Sequence, residues 1–205
     1  IKKAEFLISA VKKDPKAPTG VYFIQRGYPL QGKTTVLYYR KGSAASYLSE
    51  EDVLDSHVAK AKLVLLSGIT PALSPSCQKA CLTLMEKAKA NNIPLAFDSN
   101  IRVTLLPDPR EAMELLQPYF ENAKYIITGT GDLNYLFGVG DLDNQVAKMQ
   151  KIAANAKIVL VKQGSHGSSA YLADKKFYHK GYSVKVVDEL GAGDAFNAGF
   201  LASIF

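Results

Sequence analysis

Residues 191–194 read Gly-Ala-Gly-Asp and lead into a helix-competent run, Ala195 to Phe200. The glycines let a backbone approach another group closely and adopt angles closed to other residues. Where a helix starts, unpaired N–H groups and the positive end of the macrodipole favour an anion such as a phosphate. A carboxylate at Asp194 is kept ionised there and is able to accept a hydroxyl proton. The same spacing also describes an ordinary acidic residue in a first helical turn, worth about 0.3–1 kcal/mol. Spacing alone does not separate these two readings.

Three further clusters have chemical potential. Asp98-Ser99-Asn100-Ile101-Arg102 places an acid, an amide and a guanidinium within five residues. Arginine is the natural bidentate partner of a carboxylate or phosphate, although a surface ion pair would use the same residues. Lys162-Gln163-Gly164-Ser165-His166-Gly167 is a glycine loop after an apolar run. It resembles a loop over nucleotide phosphates and lacks the Walker A order, and a plain turn between strands reads the same way. Within Thr35–Arg40, alternation puts Tyr38 and Arg40 on one face, with Tyr22 on the facing segment. Two tyrosines and an arginine suit a hydroxylated, acidic ligand, and also describe an aromatic cross-strand pair beside a solvated arginine. His57, His166 and His179 show no ligand spacing and receive neither a metal nor a catalytic role; no metal ligand is assigned.

The elements that must position these residues follow from hydrophobic periodicity. Residues 20–28 and 34–40 are β-branched and aromatic, and flank Pro29-Leu30-Gln31-Gly32-Lys33, which predicts a β-hairpin. Ser49-Glu50-Glu51-Asp52 reads as a capping box opening a short helix to about His57. Compact apolar strands are expected at 62–68, 94–98, 125–128 and 157–162, alternating with helices at 75–91, 109–119 and 141–154. That alternation indicates a parallel sheet with helices on its faces. An antiparallel meander over 167–172, 176–179 and 182–187 follows, and the last helix begins near Asp194. Ligands of such sheets sit at the carboxyl ends of the strands, where Ser67-Gly68, Asp98–Arg102, Thr128-Gly129 and Lys162–Gly167 fall together.

Composition narrows the partners. The chain has 205 residues, 47% of them hydrophobic and 21% charged, enough to bury one sizeable α/β core. Its net charge is +6, yet no basic run exceeds two residues, so a small anionic ligand explains the balance as well as nucleic acid does. The longest apolar runs are too short to span a bilayer, and the charged opening IKKAEFLISAVKKD does not read as a signal peptide. Cys77 and Cys81, four residues apart in an expected helix, read as reduced buried thiols of a cytosolic protein.

Residues 188–201, D-E-L-G-A-G-D-A-F-N-A-G-F-L, resemble the C-terminal signature of the ribokinase-like (PfkB) sugar kinases, and the resemblance extends over nearly the whole chain. P-T-G-V-Y-F at 18–23, Y-Y-R-K-G-S-A-A-S at 38–46 and D-S-N-I-R at 98–102 are similar to the substrate-side motifs of members that act on 2-keto-3-deoxy sugar acids. The resemblance implies a three-layer α/β/α ribokinase-like domain over 1–205, truncated at both ends, with a mostly parallel sheet and a small β lid at 20–40. It implies Asp194 as the base and Gly191, Ala192 and Gly193 as the anion hole. Tyr22, Tyr38, Arg40 and Arg102 would hold the sugar acid. Lys162, Gly164, Ser165 and Gly167 would lie along ATP, and Asn100 near its phosphates with Mg2+. A cytoplasmic homo-oligomer without nucleic-acid or membrane partners is the corresponding expectation. Two positions depart from the family pattern. Glu189 replaces a common Thr, and the N-x-x-E motif falls on Gly129-Thr130-Gly131-Asp132. A fructokinase- or ribokinase-type member and a non-catalytic sugar or nucleotide sensor are the alternatives.

Overall fold

The protein is described by a computed structural model over residues 11–26 and 34–204. The opening residues 1–10 and the expected hairpin turn at 29–33 lie outside the described residues. The two arms of the hairpin are strands β1 (Val21–Arg26) and β2 (Thr34–Tyr39). They pair antiparallel, with Tyr22 opposite Tyr38 and Phe23 opposite Leu37.

A six-stranded sheet forms the body, in the order β3 (Val64–Ser67), β4 (Leu95–Asp98), β5 (Tyr125–Gly129), β6 (Ile158–Lys162), β7 (Ser168–Leu172) and β8 (Lys175–His179). The first four strands run parallel, and β7 and β8 are added antiparallel. Each parallel strand is short and nearly all apolar because both of its faces are covered. Phe97, Ile126, Val159 and Val161 face one core with α2 (Pro75–Ala90), α3 (Pro109–Asn122), α4 (Thr130–Phe137) and α5 (Leu142–Ile152). Phe97 lies at its centre, stacked on Tyr119 with centroids 5.2 Å apart and edge-on to Phe120. By strand alternation Ala96, Ile127 and Leu160 face the opposite way, against Leu201, Phe196 and Phe200 of α6 (Ala192–Ile204). The expected α/β/α layering is therefore present.

Helix starts follow local chemistry. The Ser74 hydroxyl accepts from the Cys77 amide ahead of α2, Asp108 accepts from Arg110 ahead of α3, and Asp141 accepts from Asn144 ahead of α5. Proline occupies the first position of α2 and α3, where its missing N–H costs nothing. Cys77 and Cys81 are free and buried along α2, and burial pushes the Cys81 thiol up to about 12.

Three sequence expectations change. The capping box forms, with the Asp52 carboxylate accepting from the Ser49 amide at 2.9 Å. It opens only a 3-10 turn over Glu50–Asp52, because Val53 and Leu54 leave helical angles before α1 (Asp55–Val58) begins. Helix α4, not anticipated, follows β5 directly. The third meander strand is absent: residues 182–187 pair with no strand. The cause is a glycine contact. A Cβ on Gly167, whose φ is +105°, would stand 2.0 Å from the His179 carbonyl oxygen, and one on Gly181 would stand 2.2 Å from that of Ser165. This backbone-to-backbone approach leads the chain off β8 and across the carboxyl ends of the strands.

Candidate active site

Sheet topology decides where a ligand can sit. The crossover helices α2–α5 cover one face, while α6 arrives on the other after β8. A crevice therefore opens between the carboxyl ends of β3–β6 and the start of α6, as open parallel sheets provide. Asp98 and Lys162 end β4 and β6 on the α6 side. The Lys162 ammonium spans β5, which ends in Gly129, and donates to both Asp98 oxygens at 3.1 and 3.0 Å. Asn197 of α6 closes a ring. Its Nδ2 donates to Asp98 Oδ2 at 2.6 Å and its Oδ1 accepts from Lys162 at 3.4 Å. Asp98 and Asn197 are both buried, and a buried carboxylate of this kind is tolerable only when paired and hydrogen-bonded.

The loop after β4 is locked from the other side. Asp132, in the first turn of α4, accepts from the Ser99 hydroxyl at 2.5 Å and from the Ile101 amide. Burial raises its pKa above the ordinary aspartate value, the Ser99 hydrogen bond opposes that rise, and the Asp98 charge adds to it. The residue at the end of the expected metal motif is thus committed to holding the Ser99–Arg102 loop. Asn100 takes a left-handed φ of 37°, a region asparagine tolerates, and donates to the Ser67 hydroxyl at 3.2 Å. Arg102 is bonded only to the Ile101 carbonyl oxygen, at 3.4 Å, and has no acidic partner among the described residues.

The β1–β2 pair also borders this crevice. Tyr22 and Tyr38 meet across β1 and β2 with centroids 6.1 Å apart, and the Arg40 guanidinium lies 3.7 Å over the Tyr38 ring. This stacking fixes the guanidinium plane. The Arg40 Nη2 atom is buried and has no hydrogen-bond partner among the described residues.

At the α6 start Gly191 takes a φ of 75°, which turns the chain into the helix. The Ala192 amide donates to the Glu189 carbonyl oxygen at 3.2 Å. The Gly193 and Asp194 amides have no partner among the described residues. A Cβ on Gly193 would lie 3.9 Å from the Lys162 nitrogen, so the start of α6 and the ammonium are neighbours. Asp194 itself is exposed.

These groups line two adjoining cavities. One, of about 670 Å³, brings together Tyr22, Tyr38, Arg40, Asn100, Arg102, Lys162, Gly191, Gly193 and Asp194. The other, of about 770 Å³, contains Lys162, Gly164, Ser165, Gly167, Ala192 and Gly193. Lys162, Gly193 and Glu189 border both. Asn100 lines the first cavity with Arg102. Sequence reasoning placed Ser67 at a strand end but missed Ile69 and Thr70 in the first cavity, and Tyr182, Val184, Val186 and Phe196 in the second. Alternation of Tyr182, Val184 and Val186 was the available signal, and it read as a strand. Nothing in the sequence signalled the part played by Asn197.

Comparison with known proteins accounts for this arrangement. The profile of the pfkB family carbohydrate kinases matches residues 1–205. The chain belongs to that family. A 2-dehydro-3-deoxygluconokinase of Thermoproteus tenax is 34% identical over 97% of the chain and 59% of its own length. A 5-dehydro-2-deoxygluconokinase of Listeria monocytogenes serotype 4a (strain HCC23) is 30% identical over 83% of the chain and 53% of its own length. The chain thus spans between half and three-fifths of these relatives. A crystal structure of an E. coli protein described as a ribokinase II, in complex with ATP and Mg2+, superposes with a TM-score of 0.80 at 26% identity. It covers 92% of this chain and 58% of the other. The ribokinase-like fold of this PfkB chain is therefore shared with a nucleotide-bound relative. No helix of the described residues is long and apolar enough to cross a membrane.

Proposed function

We propose that the protein is an ATP-dependent sugar kinase that phosphorylates 2-keto-3-deoxygluconate, or its galactonate epimer, to the 6-phospho product. The observation that carries this reading is the first cavity. Two guanidiniums without acidic partners among the described residues, Arg40 and Arg102, share it with the exposed carboxylate of Asp194. A sugar carboxylate gives these arginines a bidentate, charge-assisted partner, whereas a neutral sugar offers only hydroxyl and carbonyl oxygens. The Thermoproteus tenax relative supports the keto-acid substrate. A fructokinase- or ribokinase-type substrate is the weaker reading for the same reason. A non-catalytic sensor has no use for a carboxylate set beside an anion hole.

The second cavity fits a nucleotide. Its glycine loop at 164–167 offers backbone and hydroxyl groups, and Tyr182, Val184, Val186 and Phe196 form an apolar wall for a base. For the metal, Asp98 is engaged by Lys162 and Asn197, Asp132 is engaged by Ser99, and no cluster of three His, Cys, Asp or Glu occurs among the described residues. Mg2+ would therefore be carried mainly on the phosphate oxygens of ATP, with water completing its shell. ATP supplies the transferable phosphoryl group and its Mg2+ screens phosphate charge.

The chain's own residues do the rest. Arg40 and Arg102 hold the carboxylate end of the sugar, so the far hydroxyl points to the α6 start. Asp194 accepts the proton of that hydroxyl as its oxygen bonds to the γ-phosphorus of ATP and the bond from that phosphorus to the ADP oxygen breaks, so ADP leaves. The Gly193 and Asp194 amides and the Lys162 ammonium receive the charge that builds on the phosphoryl oxygens. The β1–β2 lid carries Tyr22, Tyr38 and Arg40 over the sugar and excludes water. Asp194→Asn keeps the helix start and removes the base, so the turnover number in an ADP-release assay should fall about 10²–10⁴-fold. Undiminished turnover in that variant removes Asp194 from this role.

A further inference from the structure

Asp194 has no hydrogen-bond partner among the described residues, and its residue is exposed, so its direction is set only by α6. Of that helix only Asn197 and Leu201 are buried, while Phe196, Phe200 and Ile204 pack half-buried on the sheet, so Asn197 is its one buried polar anchor. Asn197 lies one turn after Asp194 and four residues before Leu201, on the stripe facing the sheet. We propose that Asn197 is a positioning residue. Its amide locks the first turn of α6, and with it Asp194 and the anion hole, onto the ends of β4 and β6.

The geometry is a closed ring across three elements. Asn197 Nδ2 donates to Asp98 Oδ2 at 2.6 Å, Lys162 donates to both Asp98 oxygens, and Asn197 Oδ1 accepts from Lys162 at 3.4 Å. Donor and acceptor ends of the amide are both used, so only an amide in one orientation satisfies the carboxylate and the ammonium together. Sliding or turning α6 breaks both bonds at once and leaves the buried Asp98 short of a donor. The Lys162 nitrogen in the ring is also the atom 3.9 Å from the position of a Gly193 Cβ. The ring therefore sets the distance between ammonium and anion hole as well as the direction of Asp194.

For catalysis this proposal rests on the kinase reading above, and the test separates the two. In the full-length protein, Asn197→Leu keeps the volume and loses both bonds. Its turnover number should fall at least tenfold, while the KM for the sugar acid stays within threefold, because Arg40 and Arg102 are untouched. The exchanged pair, Asp98→Asn with Asn197→Asp, keeps one amide and one carboxylate around Lys162 and should recover most of the loss. Rates are compared per folded molecule, well below each variant's melting temperature. Independently of any substrate, amide hydrogen exchange at residues 195–199 should speed up at least tenfold in Asn197→Leu, with residues 125–129 unchanged. Unchanged exchange at 195–199 overturns the proposal whatever the substrate is. So does a turnover number within twofold of wild type accompanied only by a lower melting temperature. Faster exchange together with wild-type inactivity on every sugar tested upholds the lock and removes the kinase reading instead.

Discussion

Asp132 shows how a residue's environment redefines its work. In the sequence it stands at the acidic end of a metal motif whose amide has become Gly129. In the fold its carboxylate is buried and spent on Ser99 and the Ile101 amide, holding the loop that carries Asn100 and Arg102. Burial first, and the Asp98 charge in addition, raise its pKa above the ordinary aspartate value. A carboxyl raised in this way adds stability that is fully present below its unfolded pKa and is lost as pH rises through the folded value. Asp132→Asn removes that titration. The melting temperature of the variant relative to wild type should therefore increase between about pH 4 and pH 7. A difference that is flat or decreases over that range contradicts the dominance of burial over the Ser99 and Ile101 hydrogen bonds. Arg102 and Tyr38, which line one cavity, were singled out in the sequence by a guanidinium close after a strand and by a period-two aromatic face. Asn197 was not, because its meaning lies in partners 99 and 35 residues away.

At the scale of elements, the parallel strands were readable because burial on both faces makes them continuous apolar runs. The crossover helices were readable from their caps and periodicity. The segment after β8 was not. Tyr182, Val184 and Val186 alternate as a strand would, and only the approach of Gly167 and Gly181 shows that the chain must leave the sheet. Gly167→Ala forces a Cβ against the His179 carbonyl oxygen at a φ of +105°. It should cost about 1–3 kcal/mol or more in a denaturant melt. It should also weaken nucleotide binding more than sugar binding, since the 164–167 loop borders only the second cavity. A variant as stable as wild type contradicts the close approach. Helix α4 was missed because it follows β5 with no loop between them.

Over the whole molecule, two cavities meet where Lys162, Gly193 and Glu189 stand, one bordered by the β1–β2 pair and the other by the 164–167 loop and residues 180–186. Phosphoryl transfer needs positioning and charge stabilisation more than covalent chemistry, and a junction of this kind supplies both. The family and the fold follow from the chain as a whole, while the proposed sugar-acid substrate rests on the two arginines. Charge-assisted hydrogen bonds of this type contribute about 1.5–3 kcal/mol, roughly ten- to a hundredfold in affinity. The decisive measurement is the ratio of kcat/KM for 2-keto-3-deoxygluconate to that for fructose, in the full-length protein and in Arg102→Ala. Wild type should favour the sugar acid, and Arg102→Ala should lower that ratio at least tenfold, through KM for the acid with kcat little changed. Turnover of neutral sugars alone, or an equal loss on both substrates, contradicts the sugar-acid site.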